Sequence, residues 1–151
     1  MPLLHRAAVA ILLSWLLMAT VNAQTLTDAG SDAEQAATLR VAERALQQFD
    51  NEQWDASWDL VGDYLRTLVD RAAWPKAVAT LRGGLGAIQS REPDTIGFSD
   101  GLPKVPPGRY GVLTFRSRFA NKAVREKIVL AWEDGVWKLA GYFVLHPKPA
   151  S

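Results

Sequence analysis

A tight turn between two tryptophans constrains the fold of this chain more than any other feature. Asp134 and Gly135 stand between Trp132 and Trp137 in a stretch of strand-forming residues. An Asp-Gly pair in this setting is typical of a two-residue β-hairpin, whose central positions both need a positive φ. The turn would place Trp132 directly opposite Trp137. We therefore predict that the last third of the chain is antiparallel sheet.

The turn also predicts a register. Beyond the tryptophans it pairs Leu130 with Leu139, Ile128 with Gly141 and Glu126 with Phe143. A second turn near Asn121 and Lys122 adds a third strand and pairs Phe119 with Val124, Ser117 with Glu126, Phe115 with Ile128 and Leu113 with Leu130. Because side chains alternate along a strand, both hairpins assign the same residues to one apolar face. That face comprises Leu113, Phe115, Phe119, Val124, Ile128, Leu130, Trp132, Trp137, Leu139, Phe143 and Leu145.

Three helices are predicted before the sheet. Ser31 and Glu34 have the spacing of a capping box, so the first helix should begin there. A second should follow an apolar stripe from Trp54 to Leu68, and a third should follow Asp70 and end before a glycine cluster at 83–86. Between the helices and the hairpins we expect a short strand at 87–90 and mostly loop over 92–108, which is rich in Pro, Gly and Asp.

The predicted fold is α+β, with about three N-terminal helices packed on one face of a curved antiparallel sheet. A single domain is expected over residues 31–146, with a leader at 24–30 and a tail at 147–151. A chain of this length can bury a core without disulfides.

Residues 1–23 resemble a secretory signal peptide. A short basic start containing Arg6 is followed by an apolar run too short to span a membrane, and then by small residues before Gln24. The chain contains no Cys, which excludes disulfides and the lipidated Cys of a lipoprotein. We expect cleavage after Ala23 and a soluble periplasmic protein that is not a lipoprotein, with no transmembrane segment left after cleavage.

Charge gives little guidance to a partner. Of the 17 Lys and Arg residues only Arg6 precedes residue 24, so 16 remain against 16 Asp and Glu. This balance argues against nucleic-acid binding. The outer face of the sheet nevertheless carries a predicted basic patch of Arg116, Arg118, Arg125, Lys127 and Lys138, in which Arg116 opposes Lys127 and Arg118 opposes Arg125. The patch is interpreted either as a solvated face or as the site of an anionic ligand, and the apolar band of Val112, Val129, Ala140, Tyr142 and Val144 between these cations permits a homodimer.

Glu126 is the residue that breaks the apolar pattern of the inner face. A carboxylate there needs hydrogen bonds, and the candidate partners are Ser117, Arg91 and Arg82. The alternative is a pocket acid or base with a raised pKa. Other catalytic options are few, because there is no Cys and His146 is the single His after residue 23. No cofactor, metal site or catalytic set is predicted.

The order of several motifs along the chain is similar to that of a known protein family. It runs Trp74, Leu85-Gly86, Ser90-Arg91, Pro107-Gly108-x-Tyr110, a strand ending at Phe119, Glu126, and Trp137-Lys138-x-x-Gly141-Tyr142. Over residues 39–145 the chain resembles the bacterial domain-of-unknown-function 4019 family. The resemblance implies exported or periplasmic proteins with a fold similar to the nuclear-transport-factor-2-like (cystatin-like) cone, which often leaves a pocket. It implies no known reaction.

Three functional hypotheses follow. The first is a non-catalytic binding or assembly module, and the second is a small enzyme that uses Glu126 as its acid or base. The third is an envelope accessory protein that binds an anionic polymer through the basic strands.

Overall fold

The structure is a computed structural model and describes residues 28–147. The predicted signal peptide, leader residues 24–27 and tail residues 148–151 lie outside this range. The elements are α1 (Asp32–Asp50), α2 (Trp54–Trp58), α3 (Asp63–Leu68), α4 (Trp74–Leu81), β1 (Ile88–Ser99), β2 (Tyr110–Phe119), β3 (Ala123–Glu133) and β4 (Val136–Leu145). The strands form one antiparallel sheet in the order β1-β2-β3-β4, and the helices pack against it. The α+β class is confirmed. Across residues 28–147, no helix is long and apolar enough to cross a membrane.

The start of α1 agrees with its sequence signal. The Ser31 hydroxyl accepts a hydrogen bond from the Glu34 amide at 3.1 Å, and the Glu34 carboxylate accepts one from the Ser31 amide at 2.9 Å. This reciprocal pair satisfies two N–H groups that have no partner within the helix. The helix then buries Ala42, Ala45, Leu46 and Phe49 against the sheet.

The single second helix predicted over 54–68 is wrong. The chain leaves the helix after Trp58, and Val61 forms a parallel bridge with Leu139 at the edge of β4. The Leu139 amide donates to the Leu60 carbonyl at 2.7 Å, and the Gly62 amide donates to the Leu139 carbonyl at 2.8 Å. Pairing with this exposed strand edge replaces helical hydrogen bonds, so two short helices form.

The loop predicted over 92–108 is also wrong in its first half, because β1 continues to Ser99. Pro93 and Asp94 favour a loop by composition, but Pro93 is tolerated in an edge strand, which needs no N–H on its outer side. A register irregularity between Pro93 and Thr95 accommodates Asp94. Of the predicted loop, only the part between Ser99 and Tyr110 is irregular.

The β3–β4 hairpin keeps the predicted register near its turn and loses it further on. Trp132 pairs with Trp137, and Leu130 pairs with Leu139. A bulge then shifts the pairing by one residue, so that Ile128 opposes Tyr142 and Glu126 opposes Val144. A one-residue shift turns every later side chain to the other face. Phe143 and Leu145, predicted to face the helices, are therefore exposed on the outer face, whereas Tyr142 and Val144 point inward.

The predicted β2–β3 pairing is displaced by two residues. Ser117 opposes Val124 and Phe115 opposes Glu126, because the turn is tighter than expected and the Phe119 amide donates to the Lys122 carbonyl at 2.9 Å. A shift of two residues preserves the faces. The inner face therefore carries the apolar core against the helices, with Leu113, Phe115, Ile128, Leu130 and Leu139 almost fully buried.

Candidate functional site

Glu126 lies in the core between the helices and the sheet, and none of its surface is exposed. Its Oε1 accepts hydrogen bonds from Arg91 Nε at 2.7 Å and Ser117 Oγ at 2.6 Å. Its Oε2 accepts one from the Tyr142 hydroxyl at 2.6 Å. These donors come from β1, β2 and β4, while Glu126 belongs to β3. The carboxylate therefore ties all four strands together.

The network continues from the sheet to the helices through Arg91. Its Nη1 and Nη2 donate to the Asp50 carboxylate at 2.7 and 3.0 Å, and Arg82 forms a second ion pair with Asp50. Asp50 is the last residue of α1, and Arg82 is the C-cap of α4. We call Asp50, Arg82, Arg91, Ser117, Glu126 and Tyr142 the buried network. Its two cations balance its two carboxylates, which is what a buried charge cluster requires.

The protonation of the network follows from these contacts. Burial acts to raise the pKa of Asp50, but hydrogen bonds from Arg91 and Arg82 outweigh it and leave that pKa below its usual range. Burial, together with the charge of Glu126, raises the pKa of Tyr142 far above that of a free phenol. Tyr142 is therefore a neutral hydroxyl donor, and Asp50 is ionised over the ordinary pH range.

Glu126 lines neither the hollow beside its network nor the large groove on the sheet that are described below. Asp50 and Arg82 do reach a hollow of about 300 Å³ between α1, α4 and the start of β1. An acid or base must come within hydrogen-bond reach of its substrate. The surrounding side chains prevent Glu126 from doing so, and its oxygens already accept three hydrogen bonds.

The sequence pattern does not identify two members of the buried network. It places Tyr142 on the outer face, because the bulge in β4 has no clear sequence signal. Asp50 does carry a sequence signal, since a carboxylate in the last turn of a helix is disfavoured by the helix dipole and needs a cation nearby.

The second candidate site is a groove of about 700 Å³ on the outer face, at the end of the sheet where β2 and β4 finish. Arg116, Arg118 and Arg125 line it, together with Ser90, Leu145 and His146. We call this the basic groove. Lys127 and Lys138 of the predicted patch are not among its lining residues. Lys127 lies 4.8 Å from the centre of the Phe143 ring, and Lys138 is opposite Ala131 near the other end of the sheet.

The charge pairs in the basic groove differ from those predicted. Arg116, not Arg118, is directly opposite Arg125, and Arg118 is opposite Ala123. The like charges are compensated by Asp94, which forms an ion pair with Arg125 and lies 3.6 Å from Arg116 Nε. The hydrogen bond from Arg125 holds the pKa of Asp94 below its usual range. The register irregularity in β1 therefore supplies the anion that this part of the sheet needs.

Arg118 differs from its two neighbours. Its side chain is exposed, and within residues 28–147 it makes no hydrogen bond or ion pair. Glu92 also lines the basic groove, but its ion pair, at 3.9 Å, is with Arg116 and not with Arg118. A guanidinium whose donors have no partner in the described part of the chain is suited to binding a carboxylate or phosphate in a bidentate manner.

Part of the outer face is covered by the chain itself. Leu102 and Val105, from the segment between β1 and β2, pack on a cluster of Tyr110, Val112, Val129 and Ala131. Much of the apolar band on which a homodimer was predicted is therefore already covered. In the described part of the chain, no group of three or more His, Cys, Asp or Glu residues could hold a metal ion.

Fold and sites together define an α+β protein with a largely buried charge network between its layers and an open basic groove at one end of its sheet. The chain belongs to the family described as Protein of unknown function (DUF4019), whose model matches residues 41–142. This range includes the whole buried network, and it confirms the resemblance seen in the sequence. No curated protein and no solved structure matches the chain.

Proposed function

We propose that this protein is an exported, non-catalytic binding module that takes an anionic ligand in the basic groove. The observation that carries the proposal is Arg118, an exposed guanidinium without a partner among residues 28–147, in a groove of about 700 Å³. That volume falls within the range of small-molecule sites, about 300 to 1,000 Å³.

Local charge supports an anion rather than a cation as the ligand. The groove brings together three arginines, and Asp94 and Glu92 compensate Arg116 and Arg125 but not Arg118. The exposed side chain of Leu145 adds apolar surface beside them. A ligand with one anionic group and a small apolar part fits this combination.

An enzymatic function based on Glu126 has less support. The carboxylate is sealed, accepts three hydrogen bonds and lines none of the cavities described above. The network around it is explained by its structural contacts, because it joins the four strands to α1 and α4.

The remaining parts of the proposal rest on sequence pattern and on layer order. The pattern at residues 1–23 favours export to the periplasm. Helices followed by a bulged antiparallel sheet favour the nuclear-transport-factor-2-like cone. The homodimer is the weaker expectation, because Leu102 and Val105 cover the apolar band, although Phe143 and Leu145 remain exposed at the other end.

Reversing the free charge of the basic groove tests the proposed function. The protein is recovered from periplasm, and its intact mass should be that of a chain beginning at Gln24. It is then applied to a heparin column over a salt gradient. Wild type should be retained at low salt, whereas Arg118→Glu should elute much earlier, and high salt should abolish the difference by screening. Arg44→Glu is the matched control, because it makes the same charge change at an exposed position of α1.

Inorganic phosphate and phosphatidylglycerol vesicles serve as further probes to separate a small anion from a lipid headgroup. If Arg118→Glu and Arg44→Glu delay or advance elution equally, retention follows net charge alone and the groove is not a site. Circular dichroism must show that both variants are folded.

A further inference from the structure

A different hollow lies at the opposite end of the sheet, beside the tight turn between β3 and β4. Its volume is about 320 Å³, and Tyr64, Tyr110 and Trp132 line it together with Pro106 and Pro107. Trp132 is 48% exposed, although it is the largest type of apolar side chain. A half-exposed tryptophan beside two other aromatic side chains is typical of a binding surface rather than of a core. We call this the aromatic hollow.

Contacts with nearby residues of the same chain hold the aromatic side chains in place. The Tyr64 hydroxyl donates to the Lys104 carbonyl at 3.2 Å, and the Tyr110 hydroxyl donates to the Pro106 carbonyl at 2.6 Å. Trp132 packs edge-on against its cross-strand tryptophan, with ring centroids 5.2 Å apart. Side chains that are already ordered lose little conformational entropy when a ligand binds.

The charge around the aromatic hollow is negative. Asp63 and Glu133 line it, and Glu133 Oε2 accepts a hydrogen bond from the Asp63 amide at 3.0 Å. Arg109 also lines it, but its guanidinium forms ion pairs with three carboxylates, those of Asp28, Glu34 and Asp100. Of the charged residues that line the hollow, the carboxylates of Asp63 and Glu133 therefore outnumber Arg109, whose charge is already paired outside the hollow.

We propose that the aromatic hollow binds the quaternary ammonium group of an organic cation. Aromatic faces attract cations through their quadrupole, and Asp63 and Glu133 add to that attraction. A quaternary ammonium has no N–H to satisfy and presents methyl groups, which suits a lining formed largely by rings and prolines.

Calorimetric titration of the purified protein with choline tests this proposal. The matched ligand is 3,3-dimethylbutan-1-ol, which has the shape of choline but no charge. Choline should bind saturably and at least about tenfold more tightly than the neutral analogue, the difference expected for a cation held against aromatic rings. Phosphatidylcholine vesicles, with free choline as competitor, distinguish a lipid headgroup from a free small molecule as the source of the group.

Variants separate this site from the basic groove. Trp132→Ala and Glu133→Gln should each weaken choline binding, whereas Trp54→Ala, which removes a half-buried tryptophan elsewhere, and Arg118→Glu should leave it unchanged. Equal affinity for choline and its neutral analogue would reduce the hollow to an apolar depression and overturn the proposal. It would also fail if Trp132→Ala bound choline like wild type, or if neither choline nor vesicles displaceable by choline bound at all.

Discussion

Glu126 is a buried carboxylate whose three hydrogen bonds come from three different strands. Such a group adds little net stability when it is paired, because its desolvation offsets most of the attraction. Its effect is on specificity, since any change of register would leave a charge or a hydroxyl buried without a partner. The mixed apolar and polar inner face is therefore consistent with a single sheet register.

Removing the Glu126 carboxylate should leave its three hydrogen-bond donors without this acceptor. We expect Glu126→Ala to lower the free energy of unfolding by about 3 to 5 kcal/mol, because Arg91 would keep Asp50 but lose its second acceptor in the core. Glu126→Gln should cost less, since its amide oxygen still accepts from Ser117 or Tyr142. Urea unfolding measures both.

The control for these variants is Glu92→Gln, which neutralises an exposed carboxylate and should change stability by no more than about 0.5 kcal/mol. A Glu126→Ala protein as stable as wild type would show that the network does not support the fold. Wild-type stability combined with loss of a ligand would restore the acid or base hypothesis.

At the scale of elements, the bulge in β4 separates what could be predicted from what could not. The turn at Asp134 and Gly135 specifies the pairing of nearby residues, and the first four pairs agree with it. Past Leu130 the register depends on Tyr142 reaching Glu126, a contact between distant residues that no local pattern encodes. The same limit applies to the split between α2 and α3, which depends on pairing with Leu139.

The sequence predicts the fold class because burial leaves a periodic signal. The same signal shows that Glu126 needs partners. The sequence does not predict the place of Asp94 in the sheet, since a carboxylate in a Pro-rich segment is typical of a loop. Its place in the sheet follows from the pairing of β1 with β2, which orders the segment.

Trp132 and Trp137 form a cross-strand pair whose members are buried to different extents. Trp137 is 7% exposed, whereas Trp132 is 48% exposed. We expect Trp137→Ala to cost about 3 to 5 kcal/mol of unfolding free energy, and Trp132→Ala about 1 to 2 kcal/mol. Chemical unfolding of the two variants side by side measures the difference. Equal losses would place both rings in the core and remove the basis for the aromatic hollow.

At the scale of the whole molecule, opposite charges are gathered at opposite ends of one sheet. Arginines dominate the end where β2 and β4 finish, and carboxylates dominate the end beside the β3–β4 turn. The nearly neutral total, +1 over the 151 residues, conceals this separation. The two proposed sites lie at opposite ends of the same sheet, so each can be tested without disturbing the other.

The buried network should also determine how the protein responds to acid. The pKa of Asp50 is lowered in the folded state, so the unfolded chain takes up a proton first, near its ordinary value of about 3.9. The stability that Asp50 contributes is therefore present above that pH and is lost as the pH falls towards the folded pKa. Asp50→Asn should cost about 3 kcal/mol near pH 7, because it leaves Arg82 and Arg91 without an anion at α1. The gap between wild type and Asp50→Asn should then narrow as urea unfolding is repeated from pH 6 down to pH 3. Val78→Ala, which opens a cavity under α4 without changing a titratable group, should keep a constant gap over the same range. A constant gap for Asp50→Asn as well would mean that Asp50 is not preferentially ionised in the folded protein.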